Sequence, residues 1–316
     1  MKIENPYHDG EIRVQELAGE RDIALLTGGG VQDRIVAPAA RFLAQLRFIV
    51  LGRADDEHRI EGTVLFGAPG FLRAEEEGTV LSIALAPGRS RSTDPVLDVL
   101  SEGQRIGALA IDLQTRRRLR INGRVVRIEP ERLAVQVRES YANCPKYIQK
   151  RVVEIDDSAP NAEAAITGSA FVASGVELGE EQRRIISTAD TLFVATVNPR
   201  GDADASHRGG EPGFVRIQRD GPLAIPDYAG NSMFNTLGNV AANPNAALLF
   251  WDFERGLLLH LAGRASIHFG EDSNGLQTGQ TGRFWRFSTE HWREQAVPIP
   301  FRMRLVERSP FNPQSK

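Results

Sequence analysis

The chain repeats itself. Pro69-Gly70-Phe71-Leu72-Arg73 recurs 143 residues later as Pro212-Gly213-Phe214-Val215-Arg216. Leu81, Ile83, Gly88 and Ser90 recur as Leu223, Ile225, Gly230 and Ser232, at a shift of 142. Ala108 to Val125 then aligns without a gap on Leu248 to Ala265 at a shift of 140, with Leu109, Asp112, Leu119, Gly123 and Arg124 matched by Leu249, Asp252, Leu259, Gly263 and Arg264. The order is kept while the offset drifts by only a few residues, which argues for duplication and hence for two copies of one folding unit. With 316 residues and a prior of roughly 150 per domain, each copy can bury its own core.

Punctuation within the second copy predicts short strands. Thr191 to Val197 is an apolar strand, Asn198 to Asp202 a turn, and Gly213 to Gln218 a further strand. A strand at Leu223 to Pro226 leads through Gly230-Asn231-Ser232 into a helix from about Met233 to Ala242, stopped by Asn243-Pro244. Ala246 to Phe253 and Leu257 to Ile267 read as a hairpin, and Glu180 to Thr188 as an opening helix. Ile155 to Gly179 reads as the linker between copies.

Composition narrows the classes. An apolar fraction of 41% and a charged fraction of 25% fit a folded domain, and a formal charge of −3 gives no basic footprint for nucleic acid or an anionic membrane. The single cysteine, Cys144, cannot form an internal disulfide, which suits a reducing, cytoplasmic compartment. Met1 to Gly10 lacks a signal peptide's apolar core, and no apolar run approaches the ~20 residues of a membrane helix.

Several motifs together resemble a known family. Asp204-Ala205-Ser206-His207-Arg208-Gly209-Gly210 followed by Pro212 to Arg216, then Asp227-Tyr228-Ala229-Gly230-Asn231, Phe234-Asn235-Thr236-Leu237-Gly238-Asn239, Asn243-Pro244 and Ser309-Pro310-Phe311-Asn312-Pro313, resemble FMN-dependent proteins of the pyridoxamine 5′-phosphate oxidase superfamily. Thr115-Arg116-Arg117-Arg118 with Asn122-Gly123, and Asn143 to Gln149, are similar to motifs of larger members with two such units. The resemblance implies a mainly β (α+β) fold: two tandem split β-barrels of the FMN-binding type forming an internal pseudo-dimer, flavin at their interface. It divides the chain into 1–155, the first barrel with an N-terminal extension, and 156–316, the linker and the flavin-binding barrel.

Ser206, His207, Arg208, Arg216, Asn231, Ser232, Asn235, Arg117 and Arg118 are the expected FMN contacts. His207-Arg208 is expected in a loop before the strand of Arg216. A helix beginning after Gly230-Asn231-Ser232 offers free N–H groups and a positive dipole end, which suits a phosphate and equally describes an ordinary capped helix. True pyridoxamine phosphate oxidases carry Ser-Arg-Lys there, whereas Asn231 to Asn235 contains no cation, so vitamin B6 oxidation is not implied. The first copy can supply charge. If Leu119, Ile121 and Val125 face a core, alternation sends Arg116, Arg118, Arg120 and Arg124 to the other face, as a phosphate clamp or a solvated edge. Gly88-Arg89-Ser90-Arg91 is a second candidate anion site.

Other signals are weaker. Gly28-Gly29-Gly30 lacks the remainder of a nucleotide fingerprint, and the six histidines show no metal spacing. Cys144 reads as a small packed side chain at a helix start, and Phe284, Trp285, Phe287 and Trp292 as core packing rather than a flavin cover. The resulting expectation is an FMN-dependent oxidoreductase acting on a small molecule, the cofactor carrying the chemistry. Its partners are a substrate or electron donor, with a further homodimer left open. The alternative is a split barrel that is non-catalytic or holds haem or another cofactor.

Overall fold

Runs of Val, Ile, Leu and Ala punctuated by glycine turns become two antiparallel sheets in the computed structural model, which describes residues 5–55, 59–85, 94–155, 170–270, 276–297 and 301–313. The first sheet contains β1 (Phe48–Ala54), β2 (Ile60–Phe66), β3 (Leu72–Glu75), β4 (Val80–Ala84), β5 (Arg105–Asp112), β6 (Arg117–Glu129) and β7 (Arg132–Asn143). β8 (Lys150–Ile155) and β9 (Ala170–Gly175) follow. The second sheet contains β10 (Thr191–Val197), β11 (Ala203–Gly209), β12 (Arg216–Ile217), β13 (Leu223–Pro226), β14 (Asn245–Asp252), β15 (Leu257–Phe269) and β16 (Arg283–Ala296), and β17 (Phe301–Glu307) ends the series. Its helices are α1 (Asp9–Leu17), α2 (Arg21–Gly28), α3 (Ala37–Leu43), α4 (Pro95–Asp98), α5 (Glu180–Thr188) and α6 (Asn235–Ala242).

The duplication is visible in hydrogen-bond register. Strand order is β2-β1-β5-β6-β7-β4-β3 in one sheet and β11-β10-β14-β15-β16-β13-β12 in the other, the same sequence of equivalent strands. Leu51 pairs with Thr63 where Val194 pairs with Ser206, and Leu109 pairs with Arg120 where Leu249 pairs with His260. A bulge falls between Asn122 and Gly123 and again between Ala262 and Gly263. The repeated glycine has a steric cause: a Cβ on Gly123 would lie 2.2 Å from the Gln136 carbonyl oxygen, and one on Gly263 would lie 2.0 Å from that of Ser288. Phe71 and Phe214 also occupy equivalent places, buried just before β3 and β12 and packed against Gly67 and Gly210. The expected tandem pair of split barrels is therefore present.

Each barrel has its own core, one around Leu43, Leu51, Leu81 and Ile121, the other around Leu192, Phe250, Trp285 and Phe287. A third apolar cluster joins them, where Phe48 and Phe66 meet Trp251 edge-on at 5.3 Å. Backbones touch at this seam: a Cβ on Gly107 would sit 2.5 Å from the Asp204 Cα. The N-terminal arm crosses to the second barrel, with α1 laid on α6 so closely that a Cβ on Gly10 would be 2.3 Å from the Gly238 carbonyl oxygen.

Some expectations need correction. Residues 170–175 of the expected linker form β9, which pairs with β16, because the exposed edge of β16 offers backbone partners there. The strand expected over Gly213 to Gln218 shrinks to Arg216–Ile217, since Gly213 has φ +85° and bends the chain. The helix starts at Asn235 rather than Met233, because Ser232 and Phe234 both take positive φ. No helix among the described residues is long and apolar enough to cross a membrane.

Candidate functional site

Strand β11 is the meeting line of the two barrels, and it carries Asp204, Ser206, His207 and Arg208. These residues lie in a strand and not in the expected loop. His207 pairs with Phe193 and Arg208 with Leu192 of β10. Their polarity hides the strand from a periodicity reading, because one face of β11 meets the barrel interior and the other meets the partner barrel. Opposite β11 stands β6, whose alternation follows the expected pattern from Arg118 onward: Leu119, Ile121 and Val125 enter the core while Arg118 and Arg120 face the seam.

Arg118, Arg120, Lys146 and Arg208 converge on a crevice of about 60 Å³ that is also lined by Cys144, Tyr147, His207, Asp227 and Asn231. Arg118 donates from Nε to the Cys144 carbonyl (3.0 Å) and from Nη1 to Nδ1 of His207 (3.2 Å) and the His207 carbonyl (3.3 Å), and it approaches the Cys144 Sγ at 3.7 Å. None of these partners is a carboxylate. Burial, with Arg120 and Arg208 nearby, pulls the Arg118 guanidinium down to about 10, still charged at neutral pH. Arg208 has a carboxylate only at 3.7 Å, Asp227, and its Nε has no hydrogen-bond partner among the described residues.

His207 is buried, and burial together with Arg118 and Arg208 holds its imidazole well below the ordinary 6.5. The ring is therefore neutral. Because an arginine can only donate, Nδ1 is the acceptor and Nε2 carries the proton, and that Nε2 has no partner among the described residues. What this atom lacks is an acceptor.

A larger cavity of about 520 Å³ lies beyond the contact of Arg120 with Asp204 (3.4 Å) and Asn235 (2.6 Å). Its walls come from β5, β6 and β7, the start of β11, α6 and the N-terminal arm. Sequence reasoning missed His8 and Glu11 of that arm. Glu11 is buried, and its Oε1 accepts from the Asn235 amide (2.5 Å) while Oε2 accepts from the His8 N–H (2.9 Å). The available signal was the capping box of α1, in which His8 and Glu11 satisfy each other's backbone, but nothing local announces that α1 docks 231 residues away, where His8 Nε2 meets Asn239 Oδ1 at 2.9 Å.

The nine expected contact residues separate accordingly. Arg118, His207, Arg208 and Asn231 line the crevice, and Asn235 lines the larger cavity. Ser206 stands behind, its hydroxyl 2.8 Å from that of Thr236. Ser232 is sealed off, donating to Glu20 (2.5 Å). Arg216 is exposed on β12, and Arg117 lies over the Phe42 ring at 5.0 Å. Arg116, in the turn before β6, is held by the carbonyls of Ile148 and Arg308. Neither Asn231 nor Ser232 caps α6, whose N-cap is Phe234 and whose first turn is covered by Glu11, so the expected phosphate seat on that helix is taken by the chain itself. Cys144 follows the end of β7 rather than starting a helix, and Trp285 and Phe287 are core. Gly88 to Arg91 falls outside the described residues.

Residues 178–296, from just before α5 to the end of β16, match the family model of pyridoxamine 5′-phosphate oxidase. The second barrel thus resembles that family's domain. Solved structures similar to this chain include HupZ from Group A Streptococcus, 17% identical over 42% of this chain and 98% of its own, with a TM-score of 0.28. A putative pyridoxamine 5′-phosphate oxidase from Lactobacillus delbrueckii is 17% identical over 37% of this chain and 93% of its own, TM-score 0.31. HutZ, a haem storage protein from Vibrio cholerae, is 19% identical over 36% and 91%, TM-score 0.26. None of these likenesses bears on what the site binds. No curated protein matches the sequence.

Proposed function

We propose that the protein is an FMN-binding flavoprotein, with the cofactor's phosphate in the arginine crevice between the barrels, acting as an oxidoreductase on a small molecule. The observation that carries this reading is Arg118, a largely buried cation whose partners are all neutral. A buried charge without a counter-charge is costly, and a phosphate monoester brings about −1.5 to −2 charges and three acceptor oxygens. The crevice has the scale of a phosphate group, and the donors of Arg118, Arg208 and Lys146 suit its oxygens. His207 favours the same reading over haem, since Nδ1 is engaged by Arg118 and Nε2 holds a proton, leaving no lone pair for iron. Bound flavin would supply two-electron transfer, and the residues of β6 and β11 would hold and orient it. In this reading 1–155 and 156–316 are the two units, and each contributes half of the crevice.

Fluorescence titration of ligand-stripped protein with FMN tests the proposal. FMN should bind, and Arg118→Ala and Arg208→Ala should each weaken it roughly ten-fold or more, the worth of one charge-assisted bond. Riboflavin, which has no phosphate, should bind parent and variants alike. Absence of FMN binding, or an Arg118→Ala protein that binds FMN as the parent does, overturns it.

A further inference from the structure

The 520 Å³ cavity is a site of its own, separated from the crevice by Arg120. Its floor holds two carboxyl groups from different parts of the chain, Glu139 of β7 and Asp204 of β11, beside Glu11 of α1, whose oxygens are taken up by the Asn235 amide and the His8 N–H. Asp204 is 3% exposed, and neither of its oxygens closes a hydrogen bond of normal geometry among the described residues. Arg120 pairs with Asp204 at 3.4 Å. With Glu11 already engaged, two acids facing one guanidinium leave room for one further positive charge. The rim is opposite in character. Asp202 there is paired with Arg105 and Arg200, whereas the side chains of Arg124 of β6 and Arg138 of β7 line it with no carboxylate or hydrogen-bond partner among the described residues.

We propose that this cavity binds a small aminocarboxylate zwitterion, its ammonium group on Glu139 and Asp204 and its carboxylate on Arg124 and Arg138. A simple amine would leave the arginines idle, and a simple carboxylate would meet the acids. Only a molecule carrying both charges complements both ends. Cation recognition by buried carboxylates and anion recognition by arginine are each charge-assisted, and each is worth roughly ten-fold or more in affinity. The inference is independent of the flavin reading, since no residue of the zwitterion site is assigned to phosphate.

Calorimetric titration of the full chain as purified tests it, with 4-aminobutyrate and 6-aminohexanoate as zwitterionic probes and butylamine and butyrate as their single-charge counterparts. At least one zwitterion should bind roughly ten-fold or more tightly than either single-charge compound. Arg138→Ala, an exposed position, should leave the amine's affinity unchanged while removing the zwitterion's advantage over it. Glu139→Gln, which keeps the side-chain shape, should remove the advantage over butyrate. Circular dichroism verifies that both variants are folded. Equal binding of zwitterion and amine, binding that survives both substitutions, or no binding by any of the four compounds overturns the proposal.

Discussion

Gly52 and Ala195 are equivalent residues of the two repeats, and they face each other: a Cβ on Gly52 would lie 2.6 Å from the Ala195 Cβ. Equivalent positions can meet only where the internal two-fold passes, so the axis relating the barrels runs between β1 and β10. One strand gave up its side chain so that the other could keep a methyl group.

Gly52→Ala should therefore destabilise the chain by about 1–3 kcal/mol, the usual cost of overfilling a packed seam. The same change in an Ala195→Gly background should cost much less, because the methyl group has only moved across the axis. A double-mutant cycle in urea denaturation measures this coupling. Additive effects would place the axis elsewhere.

The two-fold also compares the two sides of the seam. Arg118, His207 and Arg208 on one side correspond to Leu258, Val64 and Leu65 on the other, all three buried. His260 stands in the place of Arg120, and its Nδ1 lies 3.1 Å from the Gly62 carbonyl. On the proposed reading, duplication made two phosphate seats and apolar substitution closed one. The expected stoichiometry is one FMN per chain, read by cofactor release and mass spectrometry. Two per chain would mean that the apolar side also binds.

A buried ion pair ties β8 to the second barrel. Arg151 places Nη2 2.8 and 2.7 Å from the two oxygens of Asp190 and lies over the Phe253 ring at 4.2 Å. Asp190→Ala should cost about 3–5 kcal/mol, because Arg151 is left charged and buried. Asp190→Ala with Arg151→Met should recover much of that loss, and thermal unfolding of the pair of variants decides it.

Much of this architecture was legible because repeats and apolar periodicity are local properties. β10, β13 and α5 coincide with their expected bounds, and the matched glycines Gly123 and Gly263 mark the same bulge. The site was less legible. Arg118 and His207 meet across 89 residues, and a strand such as β11, covered on both faces, shows no alternation to betray it. Glu11 was invisible for a further reason: a first-turn glutamate is an ordinary helix feature, and only the docking of α1 on α6 buries it.

That burial makes Glu11 a pH-sensitive element. Its carboxyl is pushed up from 4.5 to about 8, chiefly by burial; the His8 N–H and the Asn235 amide work against the shift, and Glu139 and Asp204 add to it. The folded chain thus keeps a proton that the unfolded chain loses above 4.5, so this group's stabilising contribution is full below that value. It is lost as pH rises through about 8. Glu11→Gln keeps an acceptor for Asn235 but cannot ionise. Parent and variant should be similarly stable at about pH 5, and the variant should gain on the parent by the order of a few kcal/mol at about pH 9. Urea denaturation across that range checks the sign: a parent that gains on the variant as pH rises would show that the buried Glu11 is held as a carboxylate.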